Sequence, residues 1–168
     1  SKTPKTKIPQ LLTCVDPEHL ILQPELSFEA YETDHSGSPY LFDDYVVGEK
    51  IDHMGYMTTE RVEQMMAARL YQTPSQPQVS QQYTSHGKSI VYDGHVISQA
   101  RALSFNGLAN ALKIIAINKR VDCNPTFTGD TISAWSEVLS TYVFPNKLDV
   151  GALRLRTVAI KNKDTSDF

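Results

Sequence analysis

Three consecutive residues, Asp93, Gly94 and His95, stand where a β-branched and aromatic run ends and a long helix is predicted to begin. The first turn of a helix carries backbone N–H groups that no helical carbonyl satisfies, so it can hold a negative or partly negative oxygen. Asp93 suits the N-cap, where a carboxylate contributes about 1 kcal/mol. His95 could donate to a ligand or act as acid or base, although packing or hydrogen bonding is the commoner role.

The helix that would present these residues has one apolar stripe. A helix of about 18 residues would be roughly 27 Å long, and apolar residues off the stripe indicate contact on several sides. A sheet curled around the helix would provide that contact. The stripe consists of Val96, Ala100, Leu103, Gly107 and Ala111.

A shorter helix is predicted after Thr59, which suits an N-cap. Its helical spacing is carried by Val62, Met65, Met66, Arg69 and Leu70. A first strand is predicted between Tyr40 and Thr58, and residues 72–85 form a loop.

Three further strands are expected, at Ile114–Cys123, Thr131–Phe144 and Val150–Ile160, with proline and glycine turns between them. Alternation of apolar and polar residues in the last segment is typical of an antiparallel sheet with one solvated face.

The chain divides at about residue 39. Residues 1–39 contain five of the nine prolines and no sustained periodicity, which predicts a linker or surface arm. Residues 40–168 are expected to form one domain. Its polar end predicts that the last strand of the sheet is missing.

Composition excludes few functions. A net charge of −3 and a pI near 5.9 disfavour nucleic acid as a partner. Cys14 and Cys123 are far apart, which predicts neither a disulfide framework nor a metal site. Since no apolar run could span a membrane, we expect a cytoplasmic protein, or one of the mitochondrial matrix if a targeting segment has been removed.

Several long motifs resemble the MaoC-like dehydratase family. They are YLFDDYVVGEKIDH, IVYDGHVISQARALSFNGLANAL and GDTISAWSEVL, and the resemblance extends from about Ile8 to Phe168. It implies an α+β hot-dog fold, in which an antiparallel β-sheet wraps around one long central helix and pairs with a second hot-dog domain or subunit. The implied substrate is an acyl-CoA thioester, to which such enzymes add water or from which they remove it, without a further cofactor.

The resemblance also implies a catalytic site. A backbone N–H at Gly94 would hold the thioester oxygen, although the glycine could equally serve to turn strand into helix. The family activates water with an Asp or Asn and a His five positions apart, and these positions fall on Thr73 and Gln78 here. Neither side chain titrates near pH 7, so neither can be a general base.

Four further residues are implied to bind the substrate: Tyr92, Asp93, His95 and Arg101. Arg101 could meet a CoA phosphate, but a solvated or salt-bridged surface role suits it as well. The carboxylate of Asp93 would put negative charge near the thioester oxygen and so oppose activation.

Three functions remain open. The chain could be an enoyl-CoA hydratase unit whose water-activating residues come from a differently aligned loop or a partner domain. It could instead be a hot-dog module that has lost catalysis and serves as a structural or acyl-CoA-binding subunit. A thioesterase is the third, and a loop without carboxylates offers little for hydrolysis.

Overall fold

The computed structural model describes residues 14–72, 87–163 and 165. Within these ranges three 3-10 turns, at Pro17–His19, Thr33–His35 and Phe42–Asp44, precede the regular elements. None of the helices in these ranges is long and apolar enough to span a bilayer. The regular elements are β1 (Lys50–Asp52), β2 (Met57–Thr58), α1 (Arg61–Leu70), α2 (Asp93–Leu103), α3 (Phe105–Leu108), β3 (Thr131–Phe144) and β4 (Lys147–Lys161).

β3 is the centre of an antiparallel sheet. β4 pairs with it along almost its whole length, while β1 and β2 pair with successive parts of the same strand. A β-bulge after Val138 interrupts the long hairpin. The strands predicted at Thr131–Phe144 and Val150–Ile160 are confirmed, and the second begins earlier, at Lys147, after a two-residue turn.

α2 packs on the sheet through small and medium-sized apolar side chains. Ala100 and Leu103 form one buried cluster with Ile132 and Ala134 of β3, and Val96 packs against it. The alanines let the helix backbone approach the sheet closely, and burial of each Leu or Ile contributes about 1.5–3 kcal/mol. The first part of the predicted apolar stripe therefore faces the core as expected.

The prediction of one helix of about 18 residues is wrong, because α2 ends after 11 residues. Asn106 has a ψ of 107° and Gly107 a φ of 95°, which breaks the helix. A Cβ at Gly107 would lie 2.5 Å from Cγ2 of Ile51, so only glycine lets the backbone pass this close to β1. The Nδ1 of His53 donates to the Asn106 carbonyl oxygen at 2.8 Å. Tertiary contacts with β1 thus outweigh the helix propensity of the segment.

The predicted strand Ile114–Cys123 is also wrong, because residues 112–126 contain no strand. Side chains hold this segment: Asn118 accepts the Val15 N–H at 2.7 Å, and Arg120 pairs with Asp93. β-branched residues form a strand only where a neighbouring strand satisfies their backbone groups. β3 already pairs with β1, β2 and β4.

α1 begins one residue later than predicted. Glu60, not Thr59, is the N-cap residue, and its N–H donates to the Glu63 carboxylate at 3.4 Å. Thr59 is instead buried and donates its hydroxyl to Gln99 of α2 at 3.0 Å. Thr59 therefore does not cap α1 but links the start of α1 to α2.

α1 also buries a different face from the one that its apolar spacing indicated. The predicted stripe is largely exposed: Val62 by 70%, Met66 by 56% and Leu70 by 75%. Small alanines bring the opposite face close to the rest of the fold, and its one long side chain is a hydrogen-bonded glutamine. This buried face consists of Gln64, Ala67 and Ala68.

Residues 14–39 run along the surface and are hydrogen-bonded to the folded part. The Phe28 N–H donates to the Asp149 carboxylate at 2.8 Å, and the Tyr31 hydroxyl donates to the Asn110 side chain at 2.7 Å. The Phe28 hydrogen bond is the main cause that holds the pKa of Asp149 below its usual range. The described part of the arm is thus attached near the tip of the β3–β4 hairpin and beyond α3.

Candidate functional site at the start of α2

The extended segment 89–92 leads the chain into α2. On one side it is bonded to the stretch before β3, since the Val91 N–H donates to Thr126 O at 2.8 Å and the Thr128 N–H donates to Ser89 O at 3.1 Å. On the other side lies the side chain of Gln64, which is fully buried. The start of α2 is therefore held from two sides.

Tyr92 is the N-cap residue of α2, with φ −61° and ψ 128°, and makes no side-chain hydrogen bond to the helix. Its ring stacks at a tilt on Tyr71, at the end of α1, with 5.8 Å between the ring centroids. Because the first backbone N–H groups of a helix have no carbonyl partner within it, this end offers donors to a bound group. The structure describes no side chain that caps them.

Gly94 lies in the first turn of α2, beneath the Tyr92 ring. A Cβ at this position would come within 2.4 Å of Cε1 of Tyr92, so every other residue would push the ring away. Its φ is outside the left-handed region. The glycine is therefore required for space and not for an unusual turn.

Asp93 does not cap the helix, so the predicted capping role is wrong. It is the first helical residue and not the N-cap, and its carboxylate pairs with Arg120. The pKa of the Arg120 guanidinium is raised above its usual value, mainly by its hydrogen bond to Asp122 and to a smaller extent by its hydrogen bond to Asp93. The Arg120 guanidinium is thus shared between the Asp93 and Asp122 carboxylates, and it offsets part of the negative charge expected to oppose thioester activation.

His95 lies two residues after Asp93 in α2, facing α1. Its Nε2 is 3.7 Å from a carboxylate oxygen of Glu63, which is too long for a hydrogen bond. The same nitrogen is buried and has no hydrogen-bond partner among the described residues. Buried polar atoms in native proteins usually have a partner, and a water molecule or a ligand group can be that partner where no side chain is.

Arg101 is not at this site. It lies about 10 Å further along the helix axis at 1.5 Å per residue, where its guanidinium donates to Ser104 at 2.8 Å and to the Ala111 carbonyl oxygen. These bonds satisfy groups at the end of α2. A phosphate contact of Arg101 stays a prediction.

Thr73 and Gln78, predicted at the positions of the water-activating pair, lie outside the described residues. The structure thus brings together Tyr92, Asp93, Gly94 and His95. In the ranges that it covers, no group of three or more His, Cys, Asp or Glu side chains is placed to hold a metal ion.

Sequence reasoning missed Glu63, Gln64 and Arg120. Gln64 carried one weak signal, since a glutamine between apolar residues of a short helix is buried only if its amide is hydrogen-bonded. Arg120 carried none, because its pairing with Asp93 depends on the path of an irregular segment.

Two curated proteins match almost the whole chain. The beta-methylmalyl-CoA dehydratase of Chloroflexus aurantiacus is 48% identical over 168 residues, which are 98% of this chain and 48% of that protein. The mesaconyl-CoA hydratase of Cereibacter sphaeroides is 45% identical over 159 residues, which are 95% of this chain and 46% of that protein. The chain spans about half the length of these relatives. No protein-family model matches it.

A crystal structure of a MaoC domain protein dehydratase from Chloroflexus aurantiacus superposes on this chain with a TM-score of 0.89. The two are 47% identical, and the match covers 100% of this chain and 49% of the other. The predicted α+β hot-dog architecture is confirmed.

Proposed function

Because this chain belongs to the MaoC-like dehydratase family, we propose that it is a hydro-lyase unit, which adds water to an enoyl-CoA thioester or removes it from the hydroxyacyl-CoA. The observation that carries this proposal is the uncapped first turn of α2 at Gly94. Both curated relatives are named for water addition to, or removal from, a CoA thioester.

Addition of water to the double bond of an enoyl thioester builds negative charge on the carbonyl oxygen. A backbone N–H that already points to this oxygen lowers the barrier, and loss of one such donor typically costs about 10²–10³ in rate. The Gly94 N–H is our proposed donor. Arg120 supports it, because the cation offsets the Asp93 carboxylate beside the same turn.

We propose that Tyr92 and His95 contact the acyl group. Tyr92 borders the first turn, and the Nε2 of His95 has no hydrogen-bond partner within the part of the chain that the structure describes. The substrate class proposed is an acyl-CoA with a second carboxylate, as in mesaconyl-CoA, after the substrates for which both curated relatives are named. The reaction needs no cofactor beyond the thioester.

The water-activating group is proposed to come from the segment that contains Thr73 and Gln78, differently aligned, or from a second hot-dog unit. The second source is supported by the relatives being about twice as long as this chain. The exposed stripe Val62, Met66 and Leu70 is also of the type that a partner domain covers. We propose the cytoplasm as the compartment, because the relatives are bacterial proteins.

A second candidate function is a hot-dog module without catalysis, which binds acyl-CoA or supports an assembly. The observation that favours it is the residue type at Thr73 and Gln78, because neither side chain can take a proton from water at neutral pH.

Hydration of mesaconyl-CoA and crotonyl-CoA by the purified chain, followed at the enoyl-thioester absorbance, separates the two. Turnover well above the buffer rate supports the hydro-lyase. No turnover by the wild type, with a gain in a Gln78→His variant, would replace it with the non-catalytic module.

A further inference from the structure

The carboxamide of Gln64 contacts the extended segment just before α2. Its Oε1 accepts the Tyr92 N–H at 2.9 Å, and its Nε2 donates to the Ile90 carbonyl oxygen at 3.3 Å. The residue is completely buried. No other described side chain is bonded to these two backbone groups.

These two backbone groups are the ones that a neighbouring strand would satisfy. In an extended chain, the carbonyl of one residue and the N–H of the second residue after it point to the same side. The opposite side of the segment, at Val91 and Ser89, already pairs with the stretch before β3. A primary amide has the same donor and acceptor as a peptide group, so on this side of the segment Gln64 makes the two bonds that a neighbouring strand would make.

We propose that Gln64 is a positioning residue for the Gly94 N–H donor; this inference rests on the proposed function. Tyr92 is the last extended residue, and the peptide groups that follow it form the first turn of α2. The Gln64 amide is bonded at two points on one side of the segment, and so it sets the direction in which the chain enters the helix. Displacement of a donor by about 1 Å can cost about 10²-fold in rate.

Only a side chain that donates and accepts at once meets this requirement. Glutamate in place of Gln64 keeps an acceptor for the Tyr92 N–H but brings a carboxylate against the Ile90 carbonyl oxygen. Methionine has a similar size and offers neither bond. The two variants thus remove one contact and both contacts, respectively.

Gln99 provides the matched control. It is also a buried glutamine, on α2 itself, and it accepts the Thr59 hydroxyl at 3.0 Å without touching the segment before the helix. Gln99→Met therefore removes a buried amide hydrogen bond at similar depth.

The experiment measures kcat and KM for mesaconyl-CoA and the urea midpoint for the wild type, Gln64→Met, Gln64→Glu and Gln99→Met. We expect kcat to fall about 10- to 100-fold in Gln64→Met, at least as much in Gln64→Glu, and less than about 3-fold in Gln99→Met, although all three variants lose stability. Equal losses of kcat in Gln64→Met and Gln99→Met, or none in Gln64→Met, would overturn the proposal.

Amide hydrogen exchange keeps the test independent of activity and of the folding of the variants. In the wild type we expect the Tyr92 N–H to exchange as slowly as the bonded Val91 N–H, because both are held in the segment. Fast exchange at Tyr92 alone would overturn the role of Gln64. A wild type that protects Tyr92 but does not turn over substrate would contradict the proposed function and leave the geometry of Gln64 supported.

Discussion

The Tyr92 ring lies directly over Gly94, so closely that a Cβ at Gly94 would come within 2.4 Å of the ring atom Cε1. Contact of this kind leaves no space for a side chain at position 94 unless the Tyr92 ring moves. The tyrosine also stacks on Tyr71 at the end of α1, which limits how far its ring can move. The glycine and the tyrosine therefore act as a pair that defines the proposed thioester site.

Gly94→Ala should slow hydration of mesaconyl-CoA by about 10-fold or more, because the ring or the helix start has to move and the N–H donor moves with it. Steady-state kinetics with the purified variant test this. The double variant Tyr92→Leu/Gly94→Ala relieves the contact and should regain part of the rate. An unchanged rate in Gly94→Ala would remove Gly94 from the site.

Arg120→Gln should lower the hydration rate about 10-fold with little loss of stability. The Asp93 carboxylate then lacks its cation and opposes charge on the thioester oxygen. The two side chains are 36% and 53% exposed, and such pairs contribute only about 0–1 kcal/mol to stability. Asp93→Asn in the same protein should restore most of the rate. If Asp93→Asn/Arg120→Gln were as slow as Arg120→Gln alone, the charge of Asp93 would not explain the slower rate.

Stability should fall as the pH drops below 6.5 because of His53. Burial lowers the pKa of this histidine below its usual 6.5, so the folded state holds the neutral form, which donates from Nδ1 to Asn106 O and accepts at Nε2 from the Ser136 hydroxyl. The unfolded chain takes up the proton first. The stabilisation is therefore complete above pH 6.5 and lost as the pH falls through the folded pKa.

Urea midpoints at several pH values between about 5 and 8 measure this effect. His53→Gln should show a shallower pH dependence than the wild type, whereas His19→Gln, which changes an exposed histidine, should not. Parallel curves for the wild type and His53→Gln would exclude His53 as the cause.

Asp130→Asn should destabilise the fold by about 1–3 kcal/mol at pH 7, the usual cost of disrupting buried hydrogen bonds to a charged group. Burial opposes ionisation of Asp130, but bonds from the Phe127 N–H, Asn162 and Lys161 outweigh it and keep its pKa below 3.8. The contribution of ionised Asp130 to the free energy of unfolding is thus present above pH 3.8 and is lost as the pH falls through the pKa of the folded state. Chemical denaturation of the wild type and Asp130→Asn at pH 7 and at pH 3 measures the destabilisation and its dependence on pH. Asp34→Asn, which changes an exposed carboxylate, is the control. A full effect of Asp130→Asn at pH 3 would contradict this origin.

Strand and helix periodicity predicted the elements that bury an apolar face against the sheet. β3, β4 and the first part of α2 follow their sequence patterns because Ala100, Leu103 and Ile132 are buried as their spacing indicates. The pattern failed where a tertiary contact decides. Gly107 keeps the chain after α2 from continuing as a regular helix where it passes close to Ile51 of β1, and Ile114–Cys123 has no strand neighbour among the described residues.

Of the candidate site, the sequence identified Gly94 and its neighbours, because a strand-to-helix junction is visible in the order of residues. It did not identify Gln64, which reaches the junction from a helix about one-sixth of the chain away and resembles an ordinary surface residue in type. The apolar spacing of α1 predicted that its opposite face is buried. A hydrophobic pattern cannot predict a buried polar residue such as Gln64, whose burial depends on the backbone groups that its amide binds.

Hydration in ¹⁸O-labelled water, analysed by mass spectrometry of the CoA esters, tests the central claim most directly. With mesaconyl-CoA as substrate, we predict an intact CoA thioester heavier than the substrate by one molecule of labelled water. Release of free CoA would instead identify a thioesterase, and unchanged mesaconyl-CoA would contradict a hydro-lyase activity of this chain.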